Sequence, residues 1–75
     1  MNNSPMIPAT PHTEFGNQLF GFRQQRGLSQ EKMARELGVS YVTYSRWERG
    51  VSYPSKLGRM ALALKGLTVD SPVQP

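Results

Sequence analysis

Residues 40–49 read SYVTYSRWER, and at about 100° per residue of a helix their side chains divide into two sets. Val42, Ser45, Arg46 and Arg49 fall on one side with Tyr41 at its flank, and Ser40, Thr43, Tyr44 and Trp47 fall on the other. The first set mixes cations, a hydroxyl and apolar carbon. Those are the groups that read base edges: a guanidinium fork fits the O6 and N7 of guanine, and apolar carbon fits the thymine methyl. The second set is the side that packs. Taken alone, the polar face fits an ordinary solvated helix equally well, so the elements that frame it must decide.

The frame is specific. Gly27 ends a first helix in the left-handed conformation, and Ser29 caps a second, about 29–37, with Gln30 and Glu31 in its first turn. Met33, Ala34 and Leu37 face inward, while Glu31 with Arg35 and Lys32 with Glu36 make solvated pairs worth a few tenths of a kcal/mol. Gly38 closes this helix, Val39 fills the space between helices, and Ser40 caps the third, about 40–49. So short a turn forces the two helices to cross steeply, which requires a small side chain at Ala34.

Upstream, Thr13 is read as the N-cap of a first helix over about 14–26, with Glu14 suited to its dipole and Phe15, Leu19 and Phe22 as its buried stripe. Gly16 and Gly21 each lower its propensity by about 1 kcal/mol, so the helix depends on docking. Phe20 lies off the stripe, as a surface aromatic or a subunit contact. Residues 1–12 carry Pro5, Pro8 and Pro11 at a spacing of three, which excludes helix and predicts an extended arm. The arm has no Lys or Arg to grip DNA, and His12 has no second ligand nearby.

Downstream, Pro54 is read as opening a fourth helix, with Ser52 or Tyr53 at its cap and Leu57, Met60, Ala61 and Leu64 as its inward stripe. Leu62 and Leu67 are left over. They either cover the bottom of the core or, with Met60 and Leu64, form a two-fold seam, and a homodimer is expected; residues 68–75 make a short tail.

Seventy-five residues suffice for one small all-α domain, spanning 13–67, without a deep catalytic pocket. There is no cysteine, and nine Lys and Arg against five Asp and Glu give a formal charge of +4 and a pI near 10.0, which suits an anionic partner. The acids Glu14, Glu31, Glu36, Glu48 and Asp70 are scattered without ligand spacing, so neither an enzyme nor a metal, cofactor or small-molecule site is expected. No apolar run is long enough to span a bilayer and the N-terminus has no signal-peptide pattern, so a cytoplasmic protein is expected.

Three blocks of residues together are similar to a known family: Leu28-Ser29-Gln30-Glu31 with Met33-Ala34, then Leu37-Gly38-Val39-Ser40, then Arg46-Trp47-Glu48-Arg49-Gly50. They resemble the helix-turn-helix of Cro, phage-repressor and xenobiotic-response-element (XRE) regulators, and the likeness extends over about 15–65. It implies a lambda-repressor-like fold that binds double-stranded DNA at a palindromic operator. It implies base contact by Tyr41, Val42, Ser45 and Arg46 from the recognition helix, and phosphate contact by Gln30 and, around that helix, Ser40, Thr43, Arg49, Ser52 and Tyr53. Arg26, Lys56 and Arg59 would extend the basic rim. It also implies an ion pair between Arg23 and Glu48. Two departures stand out. Tyr44 replaces a branched aliphatic, so the core must either take the ring whole or let its hydroxyl reach a polar edge, and the chain left after the fourth helix is too short for the family's fifth.

The expected function is a transcriptional repressor or autorepressor of a small phage or mobile-element operon, possible neighbours including anti-CRISPR genes, acting by promoter occlusion. An antitoxin, or a protein-interaction module on the same scaffold, is the alternative.

Overall fold

The computed structural model describes residues 11–69, with side chains from residue 13. These residues form four helices: α1 (Pro11–Arg26), α2 (Gln30–Leu37), α3 (Tyr41–Glu48) and α4 (Lys56–Lys65). The first ten residues, with Pro5 and Pro8, and residues 70–75 of the tail lie outside the described part.

The middle of the molecule is set by local chemistry. Ser29 sits in extended backbone and its Oγ accepts the N–H of Lys32 at 3.0 Å; Ser40 does the same for Thr43, also at 3.0 Å. Each hydroxyl satisfies one of the N–H groups that the first helical turn leaves unpaired. Between them Gly38 takes φ +78°, a conformation that costs any other residue a Cβ clash, and its N–H closes onto the last carbonyls of α2. The chain reverses within three residues and directs α3 across α2.

The core is a single cluster of Phe15, Leu19, Met33, Ala34, Leu37, Tyr44, Trp47 and Leu62, one to three residues from each helix. Helix α3 lies at its centre, packed on α1 from one side and α2 from the other, while α4 closes the bottom against α2. Phe22, Val39, Ala61, Leu67 and Val69 cover its edges. The stripe of α1 and the inward set of α2 are thus where the apolar period places them. Phe20 stays exposed, with the Arg23 guanidinium 5.4 Å from its ring centre.

Four expectations are corrected. Helix α1 begins at Pro11 rather than after a Thr13 cap, because proline has no N–H to lose at the first helical position and its φ is already helical. Helix α4 begins at Lys56, capped by Ser55, whose Oγ accepts the N–H of Gly58 at 3.3 Å, so Pro54, Ser52 and Tyr53 all belong to the preceding loop. The inward face of α4 is Gly58 and Leu62 with Ala61 beside them, whereas Leu57, Met60 and Leu64 are 76%, 53% and 89% exposed. The reason is steric: a Cβ at Gly58 would meet the Trp47 ring at 3.0 Å, so α4 fits against that indole only through a residue without a side chain. Finally, neither i, i+4 pair on α2 forms; Glu36 is paired instead with Lys65 of α4 at 3.4 Å.

Candidate nucleic-acid interface

Three features of the chain bring the polar face of α3 to the surface: the Ser40 cap, the Gly38 turn and the two aromatic anchors. Tyr44 and Trp47 are buried, their rings 6.2 Å apart, and hold one side of α3 in the core. On the opposite side Tyr41 and Val42 are about half exposed (47% and 56%), Arg46 and Arg49 are exposed, and Ser45 is partly so. Neither arginine makes an ion pair among the described residues. The four expected base-reading residues therefore share one accessible face.

The flanking hydroxyls are not equivalent. Ser40 Oγ accepts the backbone N–H of Thr43 and donates its own proton to Thr43 Oγ1 at 3.0 Å, which leaves the Thr43 hydroxyl proton for an outside acceptor such as a phosphate oxygen. Ser40 is exposed and Thr43 half-buried, so the expectation that both pack into the core is corrected: the first residues of α3 lie at its rim. Ser52 and Tyr53 are half-buried in the loop after α3, Tyr53 with its ring 5.1 Å from Phe15. Arg59 donates to the Pro54 carbonyl at 3.0 Å, and Arg26 lies 5.3 Å from the Phe22 ring centre.

Beneath this face lies one polar network. Glu48 accepts two bonds from Arg23, Nε to Oε2 at 2.6 Å and a terminal nitrogen to Oε1 at 3.1 Å, in the bidentate geometry that suits guanidinium and carboxylate. The Gln30 amide donates to Oε1 at 2.9 Å, and the Tyr44 hydroxyl to Oε2 at 2.5 Å. Arg23 also donates to the Leu28 carbonyl at 2.8 Å, just before the Ser29 cap. The side chains of Arg23 and Glu48 are 11% and 5% exposed, so the pair works in a low dielectric and its hydrogen bonds matter. Burial alone would raise the pKa of Glu48, but the bonds from Arg23, Tyr44 and Gln30 outweigh it and hold the carboxyl below its ordinary range. The same contact raises Arg23 above its ordinary value, and burial, reinforced by Glu48, keeps the Tyr44 proton in place.

The ion pair implied by the resemblance is therefore present. The Tyr44 bond resolves the alternative posed by that residue: the core takes the ring whole and the hydroxyl also reaches a polar edge. Sequence reasoning missed that Gln30 joins Glu48. The spacing of Tyr44 and Glu48, four residues apart on one helix, was the available signal for the first bond; nothing local signals the second.

A family model described as helix-turn-helix matches residues 22–68, from the end of α1 to just beyond α4. The chain belongs to the helix-turn-helix family of Cro and XRE-type regulators. No curated protein and no solved structure matches it. As a member of this family the regulator is a DNA-binding protein of transcription, and its partner is double-stranded DNA. Among the described residues of the regulator no helix is long and apolar enough to cross a membrane.

The seam expected for its dimer is corrected in part. Leu62 has no accessible surface, and Leu67 is half-buried against the core, its N–H donating to the Leu62 carbonyl at 3.0 Å. Met60 and Leu64 remain on the outside, joined by Leu57.

Proposed function

We propose that the protein is a repressor that lays α3 in the major groove of an operator and blocks a promoter by occupying it. Tyr41, Val42, Ser45 and Arg46 contact base edges, and Gln30, Ser40, Thr43, Arg49, Ser52 and Tyr53 hold the sugar-phosphate backbone on either side. The observation that carries this reading is the division of α3. Tyr44 and Trp47 are locked in the core, while Tyr41, Val42 and Arg46 stand exposed on the other side with no side-chain partner among the described residues. Likeness to Cro and phage repressors favours a small phage or mobile-element operon as the target.

The operator is palindromic and the protein binds it as a homodimer. Leu57, Met60 and Leu64, at spacings of three and four on the outer side of α4, form a stripe that can pair with its own copy around a two-fold axis. Three such side chains cover well short of the roughly 800 Å² per partner of a standard interface. The pair is therefore weak in solution and completed on DNA, where both copies are held by the same duplex.

The test is a binding series on the duplex that the protein enriches from a randomised library. Arg46→Ala should cost about 1–3 kcal/mol and relax the preference at one position, and Tyr41→Ala should also weaken binding, with melting temperatures unchanged. If each subunit neutralises three or four phosphates, log affinity should fall with log salt at a slope of roughly −5 to −7 for the dimer. Undiminished binding by the Arg46→Ala, Tyr41→Ala double variant would refute the assignment of the reading face.

A further inference from the structure

We infer that Tyr44 is a positioning residue for DNA binding: its hydroxyl fixes the Glu48 carboxylate and, through it, the Gln30 amide at the start of α2. The inference rests on the proposed backbone contact of Gln30.

Glu48 receives four donors, two on each oxygen: Arg23 Nε and the Tyr44 hydroxyl on Oε2, a terminal Arg23 nitrogen and the Gln30 amide on Oε1. A carboxylate offers about four lone-pair positions, so each one is taken. Three of these bonds come from Arg23 and Gln30, long side chains with several rotatable bonds. Tyr44 is different, because its ring has no accessible surface and is gripped by the core beside Trp47. Its oxygen is positioned by the packing of a fully buried ring, whereas Arg23 is held by its bonds to Glu48 and the Leu28 carbonyl and Gln30 by its bond to Glu48. Tyr44 and Glu48 also stand one turn apart on α3, so the hydroxyl sets the carboxylate in the frame of the recognition helix itself.

The constraint passes on to Gln30. A carboxylate only accepts, so the Gln30 amide must turn its NH2 group toward Glu48, which spends one amide hydrogen and leaves the second for an outside acceptor. Gln30 is the first residue of α2, where backbone N–H groups without helical partners begin. An amide hydrogen held there in advance completes a phosphate cradle without the ordering cost that a free glutamine would meet on binding. An aliphatic side chain at position 44 would fill the same core volume but leave Oε2 to Arg23 alone. The hydroxyl thus ties the depth of the recognition helix to the backbone clamp one element away.

Four proteins test this on the duplex enriched by the wild type: wild type, Tyr44→Phe, Gln30→Ala and the double variant. Phenylalanine keeps the ring packing and removes only the hydroxyl. Tyr44→Phe should melt cooperatively yet bind DNA about three- to tenfold more weakly, the span of one ordinary net hydrogen bond, since the loss reaches the DNA only through Gln30. The double variant should bind no more weakly than Gln30→Ala alone, since both changes disable one contact. In nitrogen-15 spectra of the free protein, the Gln30 side-chain amide pair should move in Tyr44→Phe toward the positions of a solvated glutamine, a response that a purely packing role for the ring would not produce. Additive losses in the cycle, or Gln30 amide signals unmoved by Tyr44→Phe, overturn the inference. If Gln30→Ala weakens binding and Tyr44→Phe does not, the inference alone falls. If Gln30→Ala binds as the wild type does, the backbone role of Gln30 falls and the inference with it.

Discussion

Helix α1 contains two interior glycines whose replacement by alanine should act in opposite directions. In both cases alanine removes backbone freedom from the unfolded chain and favours helix by about 0.8–1 kcal/mol. At Gly21 a new Cβ would meet nothing within 4 Å, so the whole gain is kept. For a domain of this size that is a rise in melting temperature of about 4–8 °C. At Gly16 the new Cβ would lie 2.5 Å from the Glu48 carbonyl oxygen and 2.9 Å from that of Trp47. Those oxygens belong to the backbone at the end of α3 and cannot swing aside as a side chain can. The Trp47 oxygen also accepts the Gly50 N–H at 3.2 Å, which further limits its movement. Relief requires α1 and α3 to separate, at the cost of about 1–3 kcal/mol that overpacking a core incurs. Since α3 holds Glu48, the shift should also loosen the Arg23 ion pair. Gly16→Ala is therefore expected to be net destabilising and to weaken DNA binding, whereas Gly21→Ala leaves binding alone. Thermal melts followed by circular dichroism, with urea midpoints as a second measure, decide it. A stabilised Gly16→Ala would refute the close approach of α1 to the end of α3.

Other expectations concern charge and association. Because the folded carboxyl of Glu48 is depressed, its contribution is fully present above the unfolded value near 4.5 and is lost as pH falls through the folded one. Glu48→Gln should thus cost about 1.5–3 kcal/mol near neutrality and show a flatter loss of stability below about pH 4.5, read from urea midpoints across that range; parallel acid limbs would contradict the pairing. Leu64→Glu, at a position 89% exposed, should change stability by less than about 0.5 kcal/mol. It should nevertheless reduce binding to a full palindrome toward that of a half-site in gel-shift titrations, and unimpaired full-site binding would reject the α4 stripe as the dimer contact.

What could be read from the residues alone was whatever is encoded within a few positions. The caps Ser29 and Ser40, the Gly38 turn and the apolar period of α2 all act over three or four residues, and α2 and α3 came out as expected. Helix α4 shows the limit. Leu57, Met60, Ala61 and Leu64 have the same helical spacing as Gly58, Ala61, Leu62 and Lys65, and periodicity favours the more hydrophobic set. The choice is made by the Trp47 indole, eleven residues earlier, which needs a bare backbone above it. At Gly16 the low helix propensity was visible, but its purpose was not, since the carbonyl that demands it lies in another helix. The Arg23–Glu48 pair, 25 residues apart, was accessible only through family likeness. The attachment of Gln30 to Glu48 was not accessible even so, because it depends on how steeply α2 and α3 cross.

The position of Trp47 has an optical consequence. It is the sole tryptophan of the chain, is nearly sealed from water, and has the Tyr44 ring 6.2 Å away as an energy donor. Its emission should be that of an indole in an apolar solvent, fed in part by tyrosine absorption, and both properties should vanish together when the core opens. Because the indole is on the back of the helix whose front faces DNA, operator binding should leave its colour nearly unchanged. The protein thus carries an internal dye for folding that is largely blind to its ligand, so the two equilibria can be followed separately in one sample.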